Sequence, residues 1–350
     1  MSVLDRLACP IVQAPLAGGP STPALAAAVA EAGGLGFVAA GYLSPAQLRE
    51  HVSEVRRRTN RPFGINVFVP GTSPADPNVV RNYAGSLAPI AEAEGVPLGE
   101  PNFDDDHFAQ KLAICLDTRP AAMSTTFGCL EAPAAAELKA AGIEVWITVT
   151  DPSEARRAAA IGADAVICQG AEAGGHRGSF VDNDDEPIRL IDLIGMTKEA
   201  LIDADRRDVR VIAAGGLMTG AHIAEALRAG ANAAQLGTAF MLCPETGTST
   251  AHRAAIETQR ATTVTRAFTG RRARGISNAW TDRIGDAAPS AYPEIHYLTA
   301  PLRAHGRATD NADLINLWAG ERHGEARAIP AADLVAQLCA ELSSARGAVG

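Results

Sequence analysis

The sequence predicts an α/β fold: a (β/α)8 TIM barrel followed by a mainly helical C-terminal appendage. Three observations predict it. Eight short apolar runs recur before residue 240, and helix-patterned segments separate most of them. Runs such as Ala165-Val166-Ile167-Cys168 carry no polar alternation, the mark of strands covered on both faces. The glycine fingerprint that an open dinucleotide-binding sheet would need after its first strand is missing. Its near match, residues 34–39, lies at the start of a strand instead of between a strand and a helix.

The elements read in order as follows. Residues 10–15 (PIVQAP) form the first strand. Thr22 then caps a helix that has proline at its first position and stops at Gly33-Gly34. The second strand spans 35–39, a helix with a basic end spans 45–58, and the third strand spans 63–68. The fourth and fifth strands (121–125 and 144–149) each precede a helix, over 132–141 and 152–161. The sixth strand is 165–168, the seventh 209–214 with a helix over 221–229, and the eighth 231–236. On this reading residues 1–240 are the barrel, with insertions near 69–119 and 177–208 that are long enough to act as lids. Residues 241–350 form the appendage, expected to pack on the barrel where it can cover the active site. The acidic runs 101–108 (PNFDDDHF) and 181–187 (VDNDDEP) lack calcium-loop spacing and read as solvated faces. The basic stretch 265–275 (TRAFTGRRARG) reads equally as an exposed charged face and as a binding surface.

Composition narrows the function. Apolar residues make up 47% of the chain, which is enough to fold it. The net charge of −9 and an aromatic content of 5% argue against nucleic acid or an anionic membrane surface as partner. The six scattered cysteines contain no C-x-x-C, so free thiols in a reducing cytoplasm are expected, with neither a zinc site nor disulfides. No signal peptide and no membrane-spanning stretch is read, and the expected location is cytoplasmic.

In barrels of this kind the active site lies at the C-terminal ends of the strands. The sixth strand opens there into Gln169-Gly170 and then Gly174-Gly175-His176, which makes His176 the catalytic candidate. A histidine can exchange a proton or carry charge near neutral pH. The seventh strand ends in Ala214-Gly215-Gly216 and the eighth in Gln235-Leu236-Gly237-Thr238. Glycine N–H groups can face a phosphate unobstructed, and Thr238 adds a hydroxyl. One such pocket suits a mononucleotide, so FMN is expected as cofactor over FAD or NAD. The other histidines show no ligand spacing, and no metal is expected.

These segments carry a resemblance. QAPLAGGPSTPALAAAVAEAGGLGFVAAGY (13–42), PFGINVFVP (62–70), QGAEAGGHRGSF (169–180), VIAAGGLMTG (211–220) and AAQLGTAF (233–240) resemble class I of the nitronate monooxygenase family, formerly called 2-nitropropane dioxygenases. TRAFTGRRARG and YLTAPLRA (297–304) extend the likeness into the appendage. The resemblance implies oxidation of alkyl nitronates of the propionate 3-nitronate type by O2, through a flavin semiquinone, as a detoxification. It implies FMN contacts at Ala14, Asn66, Gln169, Gly174, Gly175, Gly215, Gly216, Gln235, Leu236, Gly237 and Thr238, with His176 catalytic. Leu16 stands where the family often has methionine, a volume-conserving change. His296 and Tyr297 stand out beside the matching appendage segment, and Arg177 is read equally as a site charge and as a surface residue. The expected partners are a small anionic nitronate and O2, with a homodimer allowed for. Two other classes stay open: an FMN-dependent NAD(P)H reductase of quinones or enoyl thioesters, and a barrel that binds a phosphometabolite or flavin without redox turnover.

Overall fold

The computed structural model describes residues 2–347. Its strands are β1 (Ile11–Gln13), β2 (Gly36–Ala39), β3 (Phe63–Phe68), β4 (Ala122–Thr126), β5 (Glu144–Val149), β6 (Ala165–Gln169), β7 (Gly175–His176), β8 (Arg210–Ala214), β9 (Ala233–Leu236), β10 (Thr262–Thr265) and β11 (Ala273–Ile276). All but β7, β10 and β11 form one parallel sheet in the order β1-β9-β8-β6-β5-β4-β3-β2. β1 pairs with β9 at Ile11–Ala234, and a bridge from Val12 to Leu35 brings it back beside β2, so the barrel closes. The seventh and eighth barrel strands are therefore β8 and β9.

Helices α1 (Pro23–Glu31), α2 (Pro45–Arg58), α5 (Ala132–Ala140), α6 (Pro152–Ala160), α7 (Leu190–Asp203) and α8 (Gly220–Arg228) return the chain between strands. Helix starts follow from the local sequence. Thr22 accepts a hydrogen bond from the Leu25 N–H, and Ser44 and Gln47 form a reciprocal capping box. Each such cap contributes about 1 kcal/mol. The strands are buried on two faces because they separate two apolar layers. Val12, Phe37, Trp146, Ile167 and Ile212 fill the barrel interior, while Ile11, Ile65, Ile147 and Val166 meet the helices outside. The Gly36 backbone packs on α1: a Cβ there would lie 2.0 Å from the Ala26 carbonyl oxygen. The glycines of 34–39 therefore serve packing.

One expectation needs correction and two gain detail. The insertion 69–119 holds α3 (Pro77–Glu94) and α4 (Phe108–Thr118), and α4 packs on α2 and β3 in the outer helical layer. The apolar spacing of both helices was hidden by the Pro- and Asp-rich segments around them. The appendage holds α9 (Thr250–Ile256), α10 (Ala279–Ile284), α11 (Glu294–Ala308) and α12 (Ala331–Gly347), and it also supplies the ribbon β10–β11. That ribbon pairs antiparallel with β7, Ala273 against His176. The six cysteines are not all free: Cys9 and Cys339 form a disulfide. α12 packs back on α8 and α1, and this brings Cys339 within 6.0 Å (Cα–Cα) of Cys9 across 330 residues of sequence. No spacing rule spans such a distance. Among the described residues no helix is long and apolar enough to cross a membrane.

Candidate active site

A cavity of about 390 Å3 opens at the C-terminal ends of the barrel strands, within the size range of small-ligand sites. Ala14, Gln169, Gly174, Gly175, His176, Gly215, Gly216, Gln235, Leu236, Gly237 and Thr238 all line it. Asn66 does not. It is buried behind Thr126, donating to the Thr126 hydroxyl at 3.1 Å and the Ser124 hydroxyl at 2.9 Å.

One end of the cavity is built from backbone. After β8 the chain turns through Gly215 at φ +124° and Gly216 at φ +65°, values that side-chain-bearing residues rarely adopt. After β9, Gly237 lies so near the first strand that a Cβ would sit 3.2 Å from Leu16 Cδ2. Thr238 Oγ1 accepts from the Gly320 N–H at 3.0 Å, which ties the appendage to this end. Gln235 Oε1 is buried and has no hydrogen-bond partner among the described residues. A buried acceptor left unmatched costs about 1–3 kcal/mol unless a ligand donor meets it. The glycine turns, the Thr238 hydroxyl and this waiting acceptor fit a phosphate-bearing ligand with donor groups, as FMN is.

The other end is built from side chains. β7 pairs with β11, so the ribbon sets the height of His176. The two ends of the Gln169 amide hold the same loop, donating to the His176 carbonyl at 2.9 Å and accepting from the Gly178 N–H at 2.7 Å. Gly174 is small for the appendage's sake, because a Cβ there would lie 2.4 Å from the Ala319 carbonyl carbon. Arg177 points away from the reaction space and donates to the carbonyls of Gln169 (2.8 Å) and Gly170 (2.9 Å). Its role is to brace the strand end.

The His176 ring is enclosed by Phe127, Tyr292 and Trp318, with centroids 5.7, 5.8 and 5.6 Å away. Its Nε2 lies 2.9 Å from Thr269 Oγ1, and that hydroxyl donates onward to the Arg271 carbonyl at 3.3 Å. A hydroxyl has one hydrogen. With that hydrogen directed to Arg271, Thr269 accepts the Nε2 hydrogen of His176, and Nδ1 is then left as a lone pair. Burial first, then the nearby Arg271 and Arg303 cations, push the imidazole pKa down to about 3, so the ring is neutral. Arg303 is buried and lines the cavity, bonded to Thr299 Oγ1 and to His296. Burial lowers its pKa to about 10, which still leaves it charged at neutral pH. Among the described residues no carboxylate pairs with it. A buried unpaired cation beside a cavity favours an anion there.

Some carboxylates of each acidic run turn inward. Asp106 pairs with Lys111 at 2.7 Å and accepts from the Tyr42 N–H at 3.1 Å; the Lys111 side chain is 1% exposed. The Tyr297 hydroxyl donates to Asp104. Asp182 accepts from Arg266 at 2.8 Å and Ser290 at 2.7 Å. Thus 101–108 and 181–187 are not simply solvated, and the basic stretch 265–275 is not simply an exposed face. Asp106 finds its counter-charge nearby in sequence, on Lys111 of α4, whereas Asp182 finds Arg266 some eighty residues away. Tyr42, Phe127, Thr269, Tyr292, Arg303, Arg307 and Trp318 were not foreseen as site residues, although all but Tyr292 line the cavity directly. Phe127 occupies a left-handed conformation, φ +76°, a signal visible only in coordinates.

Barrel, cavity and enclosed histidine together define a TIM-barrel enzyme with its site at the strand C-termini. Comparison makes this particular. The family model for nitronate monooxygenase matches residues 2–341. Nitronate monooxygenases of Paraburkholderia phytofirmans and Pseudomonas aeruginosa are 41% and 40% identical over 95% of this chain, covering 92% and 96% of their own lengths. The crystal structure of nitroalkane oxidase from Streptomyces ansochromogenes superposes with a TM-score of 0.95 at 44% identity, over 99% of both chains. The chain belongs to the nitronate monooxygenase family and is an oxidoreductase.

Proposed function

We propose that this chain oxidises alkyl nitronates with O2, using FMN seated with its phosphate at the glycine end of the cavity, and thereby removes reactive nitro compounds. The observation that carries the reading is the pairing of two unlike ends in one cavity. One end offers backbone donors and small residues. The other holds a neutral histidine beside a buried unpaired guanidinium.

Gly215, Gly216, Gly237 and Thr238 would hold the phosphate, and Gln235 Oε1 would accept from a ring N–H. When bound, the flavin supplies an electron acceptor and the place where O2 reacts. The chain's own residues do the rest. Phe127, Tyr292 and Trp318 exclude water around His176. Arg303 draws an anionic substrate toward that end. His176 presents the Nδ1 lone pair and limits how the substrate can lie. Taking a proton from a neutral nitroalkane would turn this ring into a cation beside Arg271 and Arg303, and both oppose that. The site is therefore better matched to a preformed nitronate than to its neutral parent.

Anaerobic stopped-flow spectroscopy tests the reading. A propionate-type nitronate should bleach the flavin readily, and NADH or NADPH should do so very slowly. Rapid bleaching by NADH with no response to nitronate would overturn it.

A further inference from the structure

The cavity holds a second histidine wired in the opposite sense to His176. His296, on α11, lines the same cavity. Its ring stacks on Tyr42 with centroids 4.1 Å apart and planes within 4°, which fixes its orientation. The Tyr42 hydroxyl reaches the Tyr292 hydroxyl at 3.2 Å, and the Tyr292 ring lies 5.8 Å from that of His176, so one aromatic chain joins the two histidines. Behind His296, Arg303 Nη2 lies 3.2 Å from Nδ1 and donates to the His296 carbonyl at 2.7 Å.

Arginine can only donate. The Nδ1 atom it faces must therefore be the unprotonated nitrogen. Burial, with Arg303 and His176 next in weight, drives the His296 pKa well below its ordinary value, so the ring is neutral. A neutral imidazole without a hydrogen on Nδ1 carries it on Nε2. Among the described residues no protein acceptor takes that hydrogen. With Thr269 donating to Arg271, His176 offers a lone pair, and His296 offers an N–H, each fixed by the partner at its other ring nitrogen.

We propose that His296 donates its Nε2 hydrogen to the anionic oxygens of the substrate's nitronate group, with Arg303 as the positioning residue that sets the tautomer. The bond strengthens as Arg303 polarises the ring. No proton is transferred: a neutral imidazole is far too weak an acid to give its single N–H hydrogen to a nitronate. This rests on the nitronate reading above and assigns the group that recognises the nitro oxygens.

The test uses the flavin-loaded enzyme with nitrate, a planar oxyanion, titrated by its effect on the flavin spectrum. His296→Phe keeps a ring to stack on Tyr42 and loses the donor, whereas His296→Gln keeps a donor. A hydrogen bond to a charged group contributes about 1.5–3 kcal/mol, so His296→Phe should weaken nitrate binding and raise the nitronate KM by roughly 10- to 100-fold. FMN affinity should not change, and His296→Gln should recover most of the loss. In parallel, 15N spectra of histidine-labelled wild type should show His296 protonated on Nε2 and bare on Nδ1. Unaltered nitrate affinity in His296→Phe, or a hydrogen on Nδ1, would overturn the proposal. Wild type that binds nitrate through His296 but ignores nitronates would instead sink the nitronate reading and leave the oxyanion site standing.

Discussion

The two ends of the cavity are made from different materials. The glycine end is lined mostly by backbone, carried on two strand–loop junctions of the barrel, Ala214-Gly215-Gly216 and Gln235-Leu236-Gly237-Thr238, with the Gln235 amide and Thr238 hydroxyl added. The histidine end is lined by side chains gathered from β7, the turn after β4, the ribbon's flank and α11, tied by hydrogen bonds that span up to 250 residues of sequence. Backbone donors are set by the fold and tolerate no added volume. Side-chain groups depend on their neighbours for charge state and tautomer, so the histidine end should respond to changes that never touch it.

The largest expected effect lies at that end. His176→Asn should retain fold and FMN while turnover on nitronates falls by about 10²-fold or more, because the substrate loses a group that fixes how it lies, and neutral nitroalkanes should stay poor substrates of both proteins. Steady-state rates on both substrate forms decide it, and wild-type rates would remove His176 from the chemistry. Next comes the support behind Tyr42. Lys111→Met leaves Asp106 buried without its counter-ion and should cost about 3–5 kcal/mol of stability. Denaturant unfolding measures this, and the surviving folded protein should bind FMN normally while its nitronate KM rises. If FMN is lost as well, the two ends are not separable.

The glycine end should fail in the opposite manner. Gly237→Leu drives a branched side chain toward Leu16 and Ala14, which a Cβ would already meet at 3.2 and 3.5 Å. Overpacking of about 1–3 kcal/mol should appear as a tenfold to hundredfold weaker FMN affinity, read by fluorescence quenching, with His176 undisturbed. Unchanged flavin occupancy would misplace the phosphate.

The smallest effect is on the pH dependence of stability. His176 and His252, with pKa values near 3 and 4, and His296 are all held below the unfolded value. The unfolded chain takes up these protons near pH 6.5 and the folded chain only far lower. Their contribution is thus complete above about pH 6.5 and falls as pH drops, by about 1.4 kcal/mol per pH unit for each histidine. Raised carboxyl groups such as Asp106 and Glu154 act in the other direction, so the comparison is between proteins. Urea midpoints from pH 7 to pH 5 should fall less steeply in His176→Asn than in wild type. Parallel slopes would show that His176 is already protonated or exposed.

Much of the first end was legible before any coordinates. Periodicity marked every barrel strand, since a strand covered on both faces must be continuously apolar, and Thr22 and Ser44 placed two helix starts through caps that need only neighbouring residues. Gly215, Gly216 and Gly237 were readable because a glycine after a buried strand has few other reasons to be there. His176 was readable from its place after β6. What lies around it was not. Asn66 sits in a matching segment yet faces Ser124 and Thr126 instead of the cavity, because a segment match carries no side-chain direction.

The amino-acid sequence by itself determined the barrel, the glycine turns at its strand ends and the place of His176 just after β6, all of which depend on residues close together along the chain. Only the tertiary structure decided the charge and tautomer of the histidines, the pairing of Asp182 with Arg266, the β7–β11 pairing and the Cys9–Cys339 link. Each of these arises from groups brought together by chain closure, and neither burial nor a distant partner's charge is written in local spacing.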